Sequence, residues 1–392
     1  MNAALDAPEA EVRLMTVNNL LRDKPALDLV IPLLSRAFAD SSDQVRLIAH
    51  AILSHRGREA TATEIQHLER EFSGSPHELV MRIVALGYYF IGQRESDEAR
   101  DRRNQHIFWL IQHAPETKAA GSPEAGMHGT DGPSYATAKQ LWLDQVETHP
   151  GNTKVLGNAA SFFLLNDKPL CESLLLKARD LEPSNPVWRE RLGQLHSLRR
   201  GRDPAERQKS ARDALQELRT ADRLRSEAEA ETENGAKSQL RAVQRVLQRM
   251  FSLPQLATAA YEAGELEVAK NYALELRSIA TGPGRAESFR DDDALHHAHM
   301  ILGKIALEHG DLHQARERLL ASGNVSGSPP LKSFGPNMSL AKDLLKRGER
   351  DVVLEYFALC EKFWERGTEA LQEWASQVQA GEIPDFGPNL RY

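Results

Sequence analysis

Cysteine is scarce in this sequence: Cys171 and Cys360 are its two thiols in 392 residues. They form no CxxC or zinc-ligand spacing and no disulfide framework. Aromatic residues make up 6% of the chain, and alternation of β-branched residues is nearly absent. That argues against strands and for helices. Long apolar runs are missing too, since the longest uncharged stretch, "VLGNAASFFLLN", is too short to cross a bilayer as a helix. The opening "MNAALDAPEAEVRLM" carries acidic residues where a signal peptide needs a basic end and an apolar run. Positive charge is not in excess: the formal net charge is −7, so neither nucleic acid nor an anionic membrane is expected to attract the chain as a whole. No GxSxG, Walker A or GxGxxG segment occurs. These absences point to a cytoplasmic, non-catalytic protein with no implied cofactor.

What is present is Ala, Leu, Glu, Arg and Gln, with 41% hydrophobic and 27% charged residues, a helix-forming mixture. At 392 residues the chain is too long for one compact core, so internal repeats are the first thing to seek. "EVRLMTVNNLL" and "QVRLIAHAIL" superpose, with Val12-Arg13 and Val45-Arg46 separated by 33 residues (45 − 12). Between them lie a helix, an acidic turn and a second helix, with Gly57 read as its stop. Asp40 followed by Val45-Arg46 and Ala49 resembles the HEAT repeat family. The resemblance covers residues 5–57 and implies that the turn Asp and the helical Arg tie neighbouring repeats together. The chain then enters at a repeat's second helix, which hints at truncation or an irregular cap.

Further along, "LATAAYEAGELEVAKNYALEL", "ILGKIALEHGDLHQARERLLAS" and "MSLAKDLLKRGERDVVLEYFALC" share small residues and a turn glycine at 264, 310 and 348. They resemble the tetratricopeptide repeat (TPR) family, with the excess length in "TGPGRAESFRDDD" and "GNVSGSPPLKSFGP" read as loops. Weaker copies lie upstream, ending at Leu181, Pro183 and Asn185 and opening again at Trp188, Leu192 and Gly193. The resulting expectation is an all-α solenoid superhelix of helix-turn-helix repeats. Its parts are HEAT-like repeats at 1–60, joining helix pairs at 61–114 and a Gly/Pro/Ser-rich loop or linker at 115–134. Degenerate TPR-like repeats with a charged helix occupy 135–250, TPR-like repeats 251–380 and a tail 381–392. The charged stretch is expected to be helical over 205–225 and to break at "TENGAK". The C-terminal part also looks like a bacterial type of TPR protein.

"FGPN" occurs twice, from Phe334 and from Phe386. Gly335 and Pro336 cannot continue a helix and Asn337 is a suitable N-cap, so the first copy reads as a turn opening a helix at Met338, with Phe334 packed beneath it. The second copy reads as the same turn anchoring the tail.

Four constellations bear on chemistry. Asp292, His296 and His299 fall at i, i+4 and i+7 of one helical face and are the metal candidates; the plainer reading makes the aspartates N-terminal partners and His299 a core residue. Cys171 and Cys360 occupy small-residue packing positions. Between Val187 and Arg225 basic residues outnumber acidic ones, among them Arg199, Arg200, Arg202, Arg207 and Arg212, which offers a local nucleic-acid face or a solvated helix with i, i+4 pairs. Lys154 and Asn158 match the first element of the carboxylate clamp of TPR cochaperones, but the later elements are lacking.

The TPR resemblance implies a concave groove built from each repeat's first helix. Carried over by position, it takes in Thr258, Tyr261 and Glu262, then His297, Met300, Lys304 and Glu308, then Met338, Lys342 and Lys346. Lysines beside Met and Tyr suit a peptide or helix with acidic groups and one or two apolar anchors. The expected function is a protein-interaction scaffold, with a nucleic-acid-associated repeat protein and a metal-dependent enzyme as alternatives.

Overall fold

The computed structural model describes residues 2–23, 25–91, 96–199, 203–231, 238–282 and 289–390, and it is helical with no strand among them. Consecutive helices pack on one another, an all-α helical-repeat fold. No helix among the described residues is long and apolar enough to cross a membrane. The chain divides into two compact units, Met1–Pro183 and Ser184–Tyr392, so the division falls inside the stretch 135–250.

The first unit contains α1 (Ala10–Asp23), α2 (Leu27–Phe38), α3 (Asp43–Glu59), α4 (Ala62–Glu71), α5 (Glu78–Ile91), α6 (Asp97–His113), α7 (Pro133–Thr148), α8 (Thr153–Phe163) and α9 (Lys168–Leu181). Local chemistry sets their starts. Thr61 and Glu64 form a capping box at α4, Ser96 accepts from the Ala99 amide at α6, and Asp167 accepts from the Leu170 amide at α9. The acidic turn works across repeats: Arg13 Nε and Nη2 donate to the two Asp40 carboxylate oxygens at 2.7 and 2.9 Å. That fork holds the Asp40 carboxyl below its usual range.

Gly57 does not stop α3. It lies buried inside the helix, two residues before its end, where a Cβ would sit 2.1 Å from the Val84 carbonyl oxygen. Gly87 mirrors it on α5, with the Ser54 carbonyl oxygen at 2.6 Å from a Cβ. The two glycines let the backbones of α3 and α5 touch, which a sequence reader sees only as a helix breaker. The stretch 115–134 is not a free linker either. Ala119, Ala120, Ser122, Glu124, Ala125 and Met127 are buried, and two short 3₁₀ turns, Pro123–Ala125 and Gly129–Asp131, shape it.

The second unit contains α10 (Pro186–Leu198), α11 (Pro204–Glu231), α12 (Ser238–Ala263), α13 (Leu266–Ala280), α14 (Phe289–Glu308), α15 (Leu312–Gly323), α16 (Pro329–Phe334), α17 (Ser339–Leu345), α18 (Arg350–Glu361) and α19 (Thr368–Gln379). The charged helix α11 runs past 225 to Glu231; the expected break at "TENGAK" lies outside the described residues. Gly264, Gly310 and Gly348 all take positive φ (85°, 76° and 85°). At each, the next residue's amide bonds a carbonyl five positions back: Glu265 to Ala260, Asp311 to Ala306 and Glu349 to Leu344. This is the Schellman termination, here of α12, α14 and α17. Gly381 (φ 91°), the first residue of the expected tail, does the same after α19 through Glu382 and Gln377.

The loop before the third repeat hides α16, started by Ser328, whose hydroxyl accepts from the Leu331 amide, and by Pro329 at the first helical position. α17 then begins at Ser339, and Asn337 Oδ1 accepts from the Ser339 amide at 2.8 Å. Phe334 is not packed beneath that turn: it is 68% exposed. Trp364 fills the place instead, close enough to Gly335 that a Cβ there would meet its Cε2 at 2.4 Å. The second FGPN turns through a 3₁₀ segment, Gly387–Leu390, and Phe386 is buried edge-on against Trp374 at 5.0 Å.

Candidate functional site

α12, α14 and α17 contribute the residues singled out as a groove. Tyr261 Oη donates to Glu308 Oε1 at 3.1 Å, and Lys304 Nζ lies 5.4 Å from the Tyr261 ring centroid, within cation–π range. Burial, then the charge of Glu308, raise the Tyr261 hydroxyl's pKa, so it stays a donor. Asp343 also acts on Tyr261, and Lys346 Nζ pairs with Asp343 at 2.9 Å. Lys342 is half-buried on α17, while Glu262 and Glu308 are exposed. The strip therefore alternates in sign. Glu262 and Glu308 belong to the expected face, and Asp343 adds a further carboxylate among its lysines.

Two expected groove residues belong elsewhere. Met300 is 3% exposed and Met338 fully buried, both in the core that also holds Leu340, Ala341 and Phe386. The tail covers Met338, whose amide donates to the Asn389 carbonyl at 2.7 Å. No feature upstream of residue 386 signals that cover.

His297 Nε2 lies 3.1 Å from the Pro254 carbonyl and 3.0 Å from Thr258 Oγ1. The carbonyl requires the proton on Nε2, and burial lowers the ring's pKa to about 4. The ring also borders an apolar cleft of about 440 Å³ between α12, α14 and α16, walled by Phe251, Pro254, Ala294, Leu331 and Phe334. Phe251 is 58% exposed and Phe334 68%. At its edge Asp293 Oδ1 accepts from the Ser328 hydroxyl at 2.5 Å, and burial raises that carboxyl's pKa. Sequence reasoning missed the cleft because it read α16 as loop. The Ser-Pro-Pro opening was the available signal.

The metal reading fails on ring geometry. His296 is 5% exposed; its Nδ1 lies 2.8 Å from the Ser322 carbonyl and its Nε2 accepts from the Asn337 amide at 3.0 Å, so neither nitrogen has a lone pair to offer. His299 Nδ1 faces Arg318 Nη1 at 3.4 Å, a cation where a metal would need none. Asp292 sits in the first turn of α14, which starts at Phe289, ahead of the aspartates expected to cap it. No cluster of three or more metal-ligating side chains occurs among the described residues.

Part of the basic stretch 187–225 is ion-paired. Arg189 pairs with Glu217 at 2.9 Å, Arg219 with Glu265 at 2.6 Å, and Arg225 with Glu190. Arg249 forks to both Asp222 and Glu275. Arg212 Nη2 donates to Gln208, and Arg200 and Arg202 lie outside the described residues. In the first unit, Lys154 is exposed, whereas Asn158 Nδ2 donates to the Pro115 and Thr117 carbonyls at 2.8 Å each, so it is committed to the 115–134 loop. Cys171 and Cys360 are buried, and burial raises the Cys360 thiol's pKa, which keeps it un-ionised.

No family model matches the chain, and no curated protein or solved structure matches it.

Proposed function

We propose that this chain is a non-catalytic scaffold of the TPR class, HEAT-like in its first helices, that binds a partner peptide or helix on the α12/α14/α17 face. The observation that carries this reading is the pair Phe251 and Phe334, both mostly exposed at the walls of one apolar cleft. Large aromatic side chains held in water around a concavity are a cost unless something covers them. The mixed-sign strip of Tyr261, Lys304, Glu308, Asp343 and Lys346 lies on the same three elements, and His297 links Thr258 to the cleft. A fitting partner presents one or two apolar anchors and charges of both signs, rather than acidic groups alone. Two buried cysteines outside any disulfide suit a reducing, cytoplasmic setting. Native affinity capture with and without nuclease tests the proposal, using the wild type and a Phe251→Ser, Phe334→Ser variant. The scaffold reading requires protein partners that survive nuclease and are lost with the variant.

A further inference from the structure

The 115–134 segment of the first unit is long for a loop with no α-helix of its own, yet side chains from several helices hold its backbone. Arg103 Nη2 donates to the Glu124 and Gly126 carbonyls at 2.8 and 2.6 Å. Asn158 holds its start, as described, and Asn166 takes the Met127 carbonyl at 2.9 Å while accepting from the Gly129 amide at 2.8 Å. Arg58 pairs with the buried Glu124 at 2.6 Å. A Cβ on Gly121 would meet Asn158 Oδ1 at 2.1 Å, so the seat is cut for glycine. Long loops pinned this firmly in a compact unit generally serve a site.

The loop walls a cavity of about 620 Å³ with α5, α6 and the end of α8. That volume lies within the small-molecule range. Phe162, Met127, Leu164 and Leu165 give it apolar walls, and its charged side chains are Arg100, Arg103 and Asp131, with His128 beside them. Asp131 accepts from the His128 amide at 2.7 Å and still carries its charge, so two arginines face one carboxylate. Arg100 is tied only outward, to the exposed Asp97 one turn away. Such an exposed i, i+3 pair is weak and readily exchanged. Positive charge therefore remains beside an apolar space.

We propose that this cavity binds a small apolar carboxylate, its chain against Phe162, Met127 and Leu164 and its carboxylate toward Arg100 and Arg103. An apolar cation of equal length meets two arginines there and is rejected.

Titration calorimetry of the full chain with decanoate, and separately with decylammonium, tests this. Arg100→Glu and Leu165→Glu serve as variants, since the two side chains are respectively 57% and 66% exposed and both changes leave the core alone. The expected result is one saturable decanoate per chain, weakened at least tenfold by either substitution with unchanged thermal melts, and no saturable decylammonium. An absence of saturable decanoate binding overturns the proposal. So does decylammonium binding as tightly, or decanoate affinity unchanged in both variants.

Discussion

Asn389 Nδ2 donates to the Pro336 carbonyl at 3.0 Å and to the Phe334 carbonyl at 3.1 Å, so the second FGPN segment is bonded directly to the first. Its own carbonyl completes the clasp by accepting from the Met338 amide at 2.7 Å. The tail thereby covers the end of the last repeats, where Phe386 packs on Trp374 and Phe357.

Replacing Asn389 by Ala leaves two carbonyls of that turn without their donor. The expected cost is roughly 2 kcal/mol, since each buried unsatisfied group costs about 1–3 kcal/mol and the turn can relax toward water. Native-state hydrogen exchange checks it locally: the Met338 amide is expected to exchange faster in the variant, while amides of the first unit keep their rates. Uniform acceleration would indicate general unfolding instead.

His296 gives the second unit an acid-sensitive element. Its folded-state pKa is about 4 against an ordinary 6.5, because burial disfavours the charged ring. Above pH 6.5 neither the folded nor the unfolded ring binds a proton, and its contribution is complete. Between 6.5 and 4 only the unfolded ring protonates, so stability falls as pH falls, by about 1.4 kcal/mol per pH unit. Below 4 the folded ring protonates too and loses its bond from the Asn337 amide. His296→Leu is expected to be less stable at pH 7.5 yet to show a flatter loss between pH 6.5 and 4, read by denaturant titration. An unchanged slope contradicts the assignment.

Gly87→Ala places a methyl against the Ser54 carbonyl and pushes α5 away from α3. We expect roughly 1–3 kcal/mol of destabilisation, the usual cost of overpacking a tight contact. Gly132→Ala serves as the comparison, because its positive φ strains the backbone but no atom lies within 4 Å of a Cβ there. A Gly87→Ala melt no lower than that of the wild type would contradict the close approach of α3 and α5, whatever Gly132→Ala costs.

Lys304→Glu, Lys342→Glu and Lys346→Glu together turn the mixed strip acidic without touching the core. The melting temperature is expected to change little, and partner capture to drop several-fold and to be weakened less by added salt. Partner binding indifferent to all three reversals removes the strip from the interface.

The repeat architecture was legible where backbone chemistry is local. Gly264, Gly310 and Gly348 need a left-handed turn whatever surrounds them, and the turn carboxylate Asp40 receives the fork of Arg13 from α1. The site was less legible because it depends on contacts distant in sequence. Met338 reads as a first-helix surface residue until Asn389 closes over it, and Gly57 reads as a stop until Gly87 lies opposite. Likewise, His296 and His299 share a helical face, but Ser322, Asn337 and Arg318 decide what each ring does.

Placing a photoreactive benzoylphenylalanine at Phe334 tests the central claim most directly, because this side chain is exposed and borders the cleft. Irradiated in native lysate, the protein is expected to yield a small set of nuclease-resistant adducts, each mapped to one segment with an apolar anchor, and a probe at the exposed Leu198, which does not line the cleft, is expected not to yield them. The same adducts from both probes, or none from Phe334, would contradict a partner seated in the cleft.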